Sequence, residues 1–207
     1  MKMKRLLYLL PLFALASCHR SSVPQSYDEA EAIPHIYPDY AEVTVPPNIA
    51  PLRFHIEDEG LEFVTRLSAE GASYIFGGAD VCPSIKAWRK LTSQPGDITA
   101  EVFLRLEDGW LRMHPFRIHV SPDAISPYLA YRLIAPSYVA YEDLTICQRN
   151  LTNFDEEVIY GNMINSNEKD AQCINCHAFQ QYNPQRMQFH VRQAHGGTIV
   201  AYDGRPS

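Results

Sequence analysis

From Leu52 to about Tyr160 apolar and polar residues alternate with a period of two, broken at intervals by turn-forming residues. Val102, Leu104 and Leu106 alternate with Glu101, Phe103 and Arg105, and Glu107-Asp108-Gly109 then turns the chain into Trp110 to His114 and Phe116 to Val120. That pattern predicts a β-hairpin. Further strands are expected at Leu52 to Ile56, Leu61 to Leu67, Ser73 to Phe76, Tyr128 to Ile134 and Tyr138 to Arg149. Gly77-Gly78, Pro95-Gly96, Ser121-Pro122 and Ala135-Pro136 separate them. Short strands at roughly ten-residue spacing predict a mainly β fold, an antiparallel β-sandwich of the immunoglobulin-like sort over residues 48–160. Trp88, Trp110 and the many tyrosines then read as core packing.

The pattern is different at both ends. Lys2, Lys4 and Arg5 form a basic start, Leu6 to Leu15 an apolar stretch, and Leu15-Ala16-Ser17-Cys18 closes it with small residues before a cysteine. This resembles a bacterial lipobox, which implies removal of residues 1–17, lipidation of Cys18 and an anchor in a membrane leaflet. No acidic run follows Cys18, so the expected place is the cell envelope facing the periplasm, at the outer membrane in preference to the inner. No other apolar stretch reaches spanning length. Residues 18–47 are rich in Ser, Pro, Tyr and acids and read as an extended tether, stiffened by Pro34, Pro38, Pro46 and Pro47. Tyr37, Tyr40 and Val43 are expected to dock along a sheet edge.

Composition narrows the function classes. The chain of 207 residues is 46% hydrophobic and 20% charged, enough to bury a core, and its formal charge of −6 with no Lys/Arg cluster beyond the first residues argues against a nucleic-acid partner. The sequence contains no general acid/base pair, nucleophile elbow or glycine-rich phosphate loop, so a redox carrier is a better expectation than an enzyme.

Residues 161–207 are polar and irregular in pattern, and they carry the chain's sharpest chemical signal, Cys173-Ile174-Asn175-Cys176-His177. C-x-x-C-H is the spacing of a covalent c-type haem site. Each thiol can form a thioether with one vinyl group, and the following His then lies under the iron as axial ligand. With haem c as its apolar centre, a small irregular or helical segment could fold around Phe179, Tyr182, Met187 and Phe189. Zinc is the alternative cofactor, with His190 and His195 completing a four-ligand set with the two thiolates. A redox dithiol is a weaker reading, because that motif belongs on a βαβ pattern.

For the second axial position His190, His195 and Met187 are the candidates, in that order, all close after the motif. His190 follows His177 by enough chain to pass around a haem edge through Tyr182-Asn183-Pro184 and return over the other face, which would give a low-spin iron closed to ligands. Of five cysteines, Cys82 and Cys147 are left over; in an oxidising compartment they are candidates for one disulfide, with two buried free thiols as the other outcome.

Several segments point to one family. Pro38-Asp39-Tyr40, Val45 to Leu52, Ser126 to Ile134, Gln148 to Leu151, the C-x-x-C-H pentapeptide, Phe189 to Arg192 and His195 to Thr198 together resemble an exported Bacteroidetes lipoprotein family. The match covers most of the chain after the signal segment. Its members are often described as cytochrome c-like, and this region precedes a β-propeller of repeats like those of the Tol-system propeller protein. The propeller is expected to be missing here, since the sequence ends where its first strand would begin. The resemblance includes both His190 and His195 and implies export and haem. Two functions are therefore expected. One is a membrane-anchored periplasmic c-type mono-haem cytochrome that passes electrons to a redox or envelope protein partner. The other is a non-redox module whose sandwich recognises a glycan or a protein, with haem or zinc tying down its carboxy end.

Overall fold

The computed structural model describes residues 21–134, 143–164, 166–167, 172–193, 196–203 and 205–206. The signal segment and Cys18 lie outside the described residues. The chain is mainly β. Its first part contains strands β1 (Asp28–Glu29), β2 (Ile36–Tyr37), β3 (Thr44–Val45), β4 (Phe54–Ile56), β5 (Glu62–Ala69), β6 (Ala72–Gly77) and β7 (Asp80–Val81). Helix α1 (Ile85–Leu91) follows, then β8 (Gly96–Leu106), β9 (Gly109–Arg112) and β10 (Phe116–Val120). The second part contains β11 (Tyr128–Leu133), β12 (Thr145–Asn150), β13 (Glu156–Gly161), β14 (Cys173–Phe179), β15 (Arg186–Arg192), β16 (Gly197–Tyr202) and β17 (Arg205–Pro206).

Strand β8 is the centre of a seven-stranded sheet. It pairs antiparallel with β5 along one edge, and with β10 and then β9 along the other. The expected hairpin forms, with Leu106 opposite Gly109 across Glu107-Asp108. The β5–β6 hairpin closes through Glu70-Gly71, where Gly71 takes φ +71°, a backbone region open to glycine at little cost. One face of β8 presents Ile98, Ala100, Val102 and Leu104 to the main core. There they meet Ile36, Phe54, Ile56 and Val81 of a three-stranded sheet β2-β4-β7, and Trp88 and Leu91 of α1. Trp88 is fully buried, as the sequence reading expects.

The sequence does not announce α1. A single turn or two of helix has no long apolar stripe, and its start depends on the Ser84 side chain accepting the Ala87 N–H at 3.2 Å. The opposite face of β8 is also covered. Phe103 is 0% exposed and Glu101 6%, although alternation alone would place both in water. The chain before residue 47 supplies the cover: Tyr27 stacks edge-on against Phe103 at 5.1 Å, and Glu29 pairs with Arg112 at 2.8 Å. Part of the segment expected as an extended tether thus forms edge strands, β1 parallel to β9 and β3 parallel to β10, with Tyr40 and Val43 packed against the main core and Tyr37 exposed. Burying Phe103 contributes about 2 kcal/mol. A surface ion pair such as Glu29 to Arg112 adds well under 1 kcal/mol. The apolar contact therefore holds this segment more than its charges do.

Glu101 is held between two cations, Arg66 at 2.5 Å and Arg112 at 3.1 Å, so the buried carboxylate is paired on both sides. At the other end of β8 the strap formed by β3 is tied by a second charge cluster. His119 Nδ1 lies 2.7 Å from Asp97 and its Nε2 3.3 Å from Glu42, while the Arg117 backbone N–H donates to Glu42 at 3.0 Å.

The second part forms its own two layers. Sheet β11-β12-β13 contributes Ile146, with Leu144 just before β12, and sheet β14-β15-β16-β17 contributes Ile174, Met187, Phe189 and Val191, to a separate apolar cluster. Residues 161–207, expected as an irregular or helical segment around a cofactor, are thus chiefly an antiparallel sheet with a short 3-10 turn at Gln180–Tyr182. Their apolar side chains find a core against β12. The two parts are joined by Arg89 of α1, whose guanidinium donates to the carbonyls of Pro47 and Thr152 at 3.1 and 2.7 Å. Among the described residues no helix is long and apolar enough to cross a membrane.

The His119 cluster predicts a pH window for the strap. The Asp97 carboxylate holds the His119 imidazole above its ordinary value of 6.5, and the Arg117 backbone N–H holds Glu42 below its ordinary 4.5. Stability from His119 is full below pH 6.5 and is lost as the pH rises through its higher folded value. Stability from Glu42 is full above pH 4.5 and is lost as the pH falls through its lower folded value. The urea midpoint at about pH 5.5 should exceed that at about pH 8.5, and His119→Gln should flatten this alkaline limb. Equal slopes for both proteins would refute the assignment.

Candidate functional site

Strand β14 carries the C-x-x-C-H motif, and its pairing with β15 is irregular at the centre of that motif. Asn175 lies opposite His190 and Ala178 opposite Gln188, so Cys176 and His177 together face the single residue Phe189. This is a β-bulge. Cys176 takes φ +55°, a left-handed conformation that costs a non-glycine residue about 1 kcal/mol or more, and its N–H is taken by the Asn175 side chain at 2.8 Å.

The bulge changes which residues face the neighbouring sheet. Before it, Ile174 is the buried position and joins the apolar cluster. Regular alternation would next turn Cys176 and Ala178 inward; instead both are exposed, and Phe179 packs on the cluster. His177, on the same side as Phe179, lines a groove of about 350 Å³ where the two sheets separate. Phe179, Tyr182 and Pro184 line the same wall, and Ser126, Tyr128, Leu129, Ala130 and Gln148 form the other. The His177 imidazole is half-buried and has no hydrogen-bond partner among the described residues.

Backbone strain gathers here. Gln181 and Tyr182 also have positive φ, 49° and 59°, in the turn that closes the groove's end, and Tyr182 is 97% exposed. Non-glycine residues in this region persist where the surrounding structure determines them, and they cluster at functional sites. On the other side of β14 the strand is anchored by two buried amides. The Asn162 side chain donates to the Gln172 carbonyl at 2.5 Å, and the Gln172 side chain donates to the Asn162 carbonyl at 3.1 Å. This reciprocal clamp closes the segment between β13 and the first cysteine.

The other expected site residues are placed as follows. Cys173 is half-buried beside the second core, and Cys176 is exposed at the bulge. Met187 is buried in that core. His190 lies on β15, next to Asn175, with its Nδ1 3.2 Å from the Thr198 hydroxyl. The path expected to carry it around a haem edge instead returns directly through residues 180–186 into β15, so His190 stands beside the motif's strand and not across from His177. His195 and Cys18 lie outside the described residues. Cys82 and Cys147 are both free: Cys82 is exposed just after β7, and Cys147 is buried in β12 with the Thr145 hydroxyl 3.3 Å from its sulfur. Cys82 follows a strand of the β2-β4-β7 sheet, and Cys147 lies in the β11-β12-β13 sheet.

These residues meet the needs of a covalent haem only in part, since His177 lines the groove and neither Cys173 nor Cys176 does. An unpartnered imidazole faces a groove with aromatic and aliphatic walls, and Cys176, exposed, is its neighbour along the chain. Among the described residues no three His, Cys, Asp or Glu side chains gather closely enough to hold a metal ion, and His195, one of the expected zinc ligands, lies outside them. The extended backbone is the remaining requirement on haem attachment. Residues three apart in a strand are separated by about 10 Å, whereas on a helical turn they are neighbours. The left-handed Cys176 already shortens the strand at this point.

The groove's second wall was not legible as a site. Strand β11 is readable from its alternation, but its pairing of Ala130 with Gln148, which places both beside the motif, is a long-range register. Compared with protein-family models, curated proteins and solved structures, the chain matches none of them.

The amide clamp predicts a measurable contribution to the site's stability. Asn162→Ala should leave the Gln172 carbonyl buried without its donor and cost about 2 kcal/mol, read as a lower urea midpoint with unchanged m-value. A midpoint within error of the parent would show that the clamp is not what fixes the start of β14.

Proposed function

We propose that this chain is a lipid-anchored c-type mono-haem protein of the cell envelope, attached to haem through Cys173 and Cys176 and ligated axially by His177. The observation that carries the reading is the bulge, which turns an unpartnered His177 into an aromatic-lined groove next to a C-x-x-C pair. The chain's residues have separate tasks. His177 supplies the nitrogen ligand and Phe179 and Leu129 an apolar wall that lowers the local dielectric. Cys173 and Cys176 would supply the thioether sulfurs. Haem c, when bound, supplies a one-electron couple. The groove is open on the side of the exposed Tyr182, so electrons could pass to a periplasmic redox or envelope partner docking there.

A second reading is a glycan-binding module without redox chemistry. Tyr128 and Tyr182 flank the groove, and two aromatic rings at such a cleft could stack on sugar faces.

Expression of the chain with a c-type maturation system should give a band that keeps peroxidase stain after denaturation, and Cys173→Ala with Cys176→Ala should abolish it. A stain-free parent chain would remove the haem reading and leave the glycan one.

The anchor is tested separately. Cys18→Ser should still be exported but should no longer partition with membranes or into detergent, and unchanged partition would show that lipid is not the tether.

A further inference from the structure

We infer that the end of the seven-stranded sheet carrying Leu61, Leu106 and Trp110 rests on the zwitterionic lipid surface of the membrane that holds Cys18, so that the folded chain lies against the bilayer and is not lifted off it. The inference rests on the lipid-anchor reading above and adds the surface through which the fold meets the membrane.

The length of chain between lipid and fold decides the geometry. A free tether over residues 18–47 could hold the fold up to about 100 Å from Cys18. In the structure the chain is already seated at Ser21, so close over β6 that a Cβ on Gly77 would overlap the Ser21 side chain. Residues 21–29 then cross the outer face of the sheet, with Tyr27 packed on Phe103 and β1 paired with β9. From Cys18 to Ser21 is three peptide steps, a span of about 10 Å at most. Whatever stands beside Ser21 is therefore held near the headgroups.

The residues that stand there suit such a boundary. Ser21 lines a groove of about 670 Å³ together with Leu61, Phe63, Val64, Gly78 and Trp110. All belong to one end of the sheet: the Leu61 N–H donates to the Arg105 carbonyl at 2.8 Å, the Gly78 N–H donates to the Phe63 carbonyl at 2.9 Å, and Trp110 lies opposite Arg105 in the β8–β9 hairpin. Leu61 is 69% exposed and Leu106 38%. Trp110, expected from the sequence to pack in the core, is half-buried instead, with the Arg105 guanidinium 5.7 Å from its ring. An indole has an apolar body and one N–H, which places it well between headgroups and acyl chains, and a guanidinium beside it can donate to phosphate oxygens. Glu62 lines the same groove, and Glu107 and Asp108 form the tip of the hairpin next to Leu106. These acids would be repelled by an anionic surface, so the leaflet that fits is zwitterionic.

The test uses the full lipidated chain in phosphatidylcholine vesicles whose acyl chains carry bromine, which quenches an indole in contact with the lipid. Trp88 is fully buried, so the quenching reports Trp110. Emission should fall between plain and brominated vesicles, and Trp110→Phe should abolish the difference. Leu61→Glu, at an exposed position, should shift the balance from seated toward free fold by about tenfold, the effect of one leucine no longer leaving water. A Gly/Ser insert of about twelve residues between Cys18 and Ser21 should weaken the quenching as well, because a longer leash lowers the effective concentration of this surface at the bilayer. A chain shown by mass to carry lipid on Cys18, yet equally bright in both vesicles, overturns the inference and leaves the anchor in place. Quenching that requires added anionic lipid would assign the contact to charge and overturn the apolar seat. A chain without lipid on Cys18 overturns both the anchor and this surface.

Discussion

The structure depends on the burial of β8 on both faces. A strand in a two-layer protein ordinarily has one face in the core and one in water, and its sequence then alternates. In β8 the second face carries Phe103 and Glu101, and both must be removed from solvent by something outside the sheet. Tyr27, packed edge-on against Phe103, meets part of that requirement. A buried carboxylate is tolerable only with its charge matched, and Arg66 and Arg112 stand on the two strands that flank β8 to do so. The polar amino-terminal segment is therefore part of the sandwich, and its position is set by the strand it covers.

The second part solves a different problem. Its strands are short and polar, and neither of its sheets has enough apolar surface to be stable alone. Stacked, they bury Ile146, Ile174 and Phe189 in a small core with Tyr160 tilted on Phe189 at 4.9 Å. The core is too small to fill the whole space between the sheets. Where it ends the layers separate, and the groove at His177 is the space left over. The bulge decides which side chain occupies that space, because one extra residue in a strand of period two exchanges its faces. A cost of about 1 kcal/mol at Cys176 is small beside the apolar contacts made by Ile174 on one side of the bulge and Phe179 on the other.

The two parts are linked mainly through polar backbone contacts. Arg89 reaches carbonyls on both, the Ala50 N–H donates to the Leu151 carbonyl at 2.7 Å, and Asn48 exchanges two hydrogen bonds with Ile125. Arg53 lies over the Phe154 ring at 3.9 Å. Such a seam orients one part on the other through directional bonds, so the groove is presented at a defined angle to the amino-terminal segment that leads toward Cys18.

Much of this was available from residue order alone. Period-two alternation located β5, β8, β9, β10 and β11, and Glu107-Asp108-Gly109 located a turn, because strand patterning and turn chemistry are local properties. The C-x-x-C-H spacing singled out His177 for the same reason: it is a short string whose chemistry is carried by residue type. Residue order did not reveal that the chain before Pro47 would cover Phe103, that residues 173–192 would be strands, or that His177 and not Cys176 would turn inward. Each of those depends on partners distant in sequence. Phe103 is buried only if Tyr27 returns to it, β14 is a strand only with β15 beside it and β12 behind it, and the face of His177 follows from the register of Asn175 on His190. Local sequence determined most strands of the first part and the reactive residues; the long-range pairing decided the strands around the motif and which of those residues share a site.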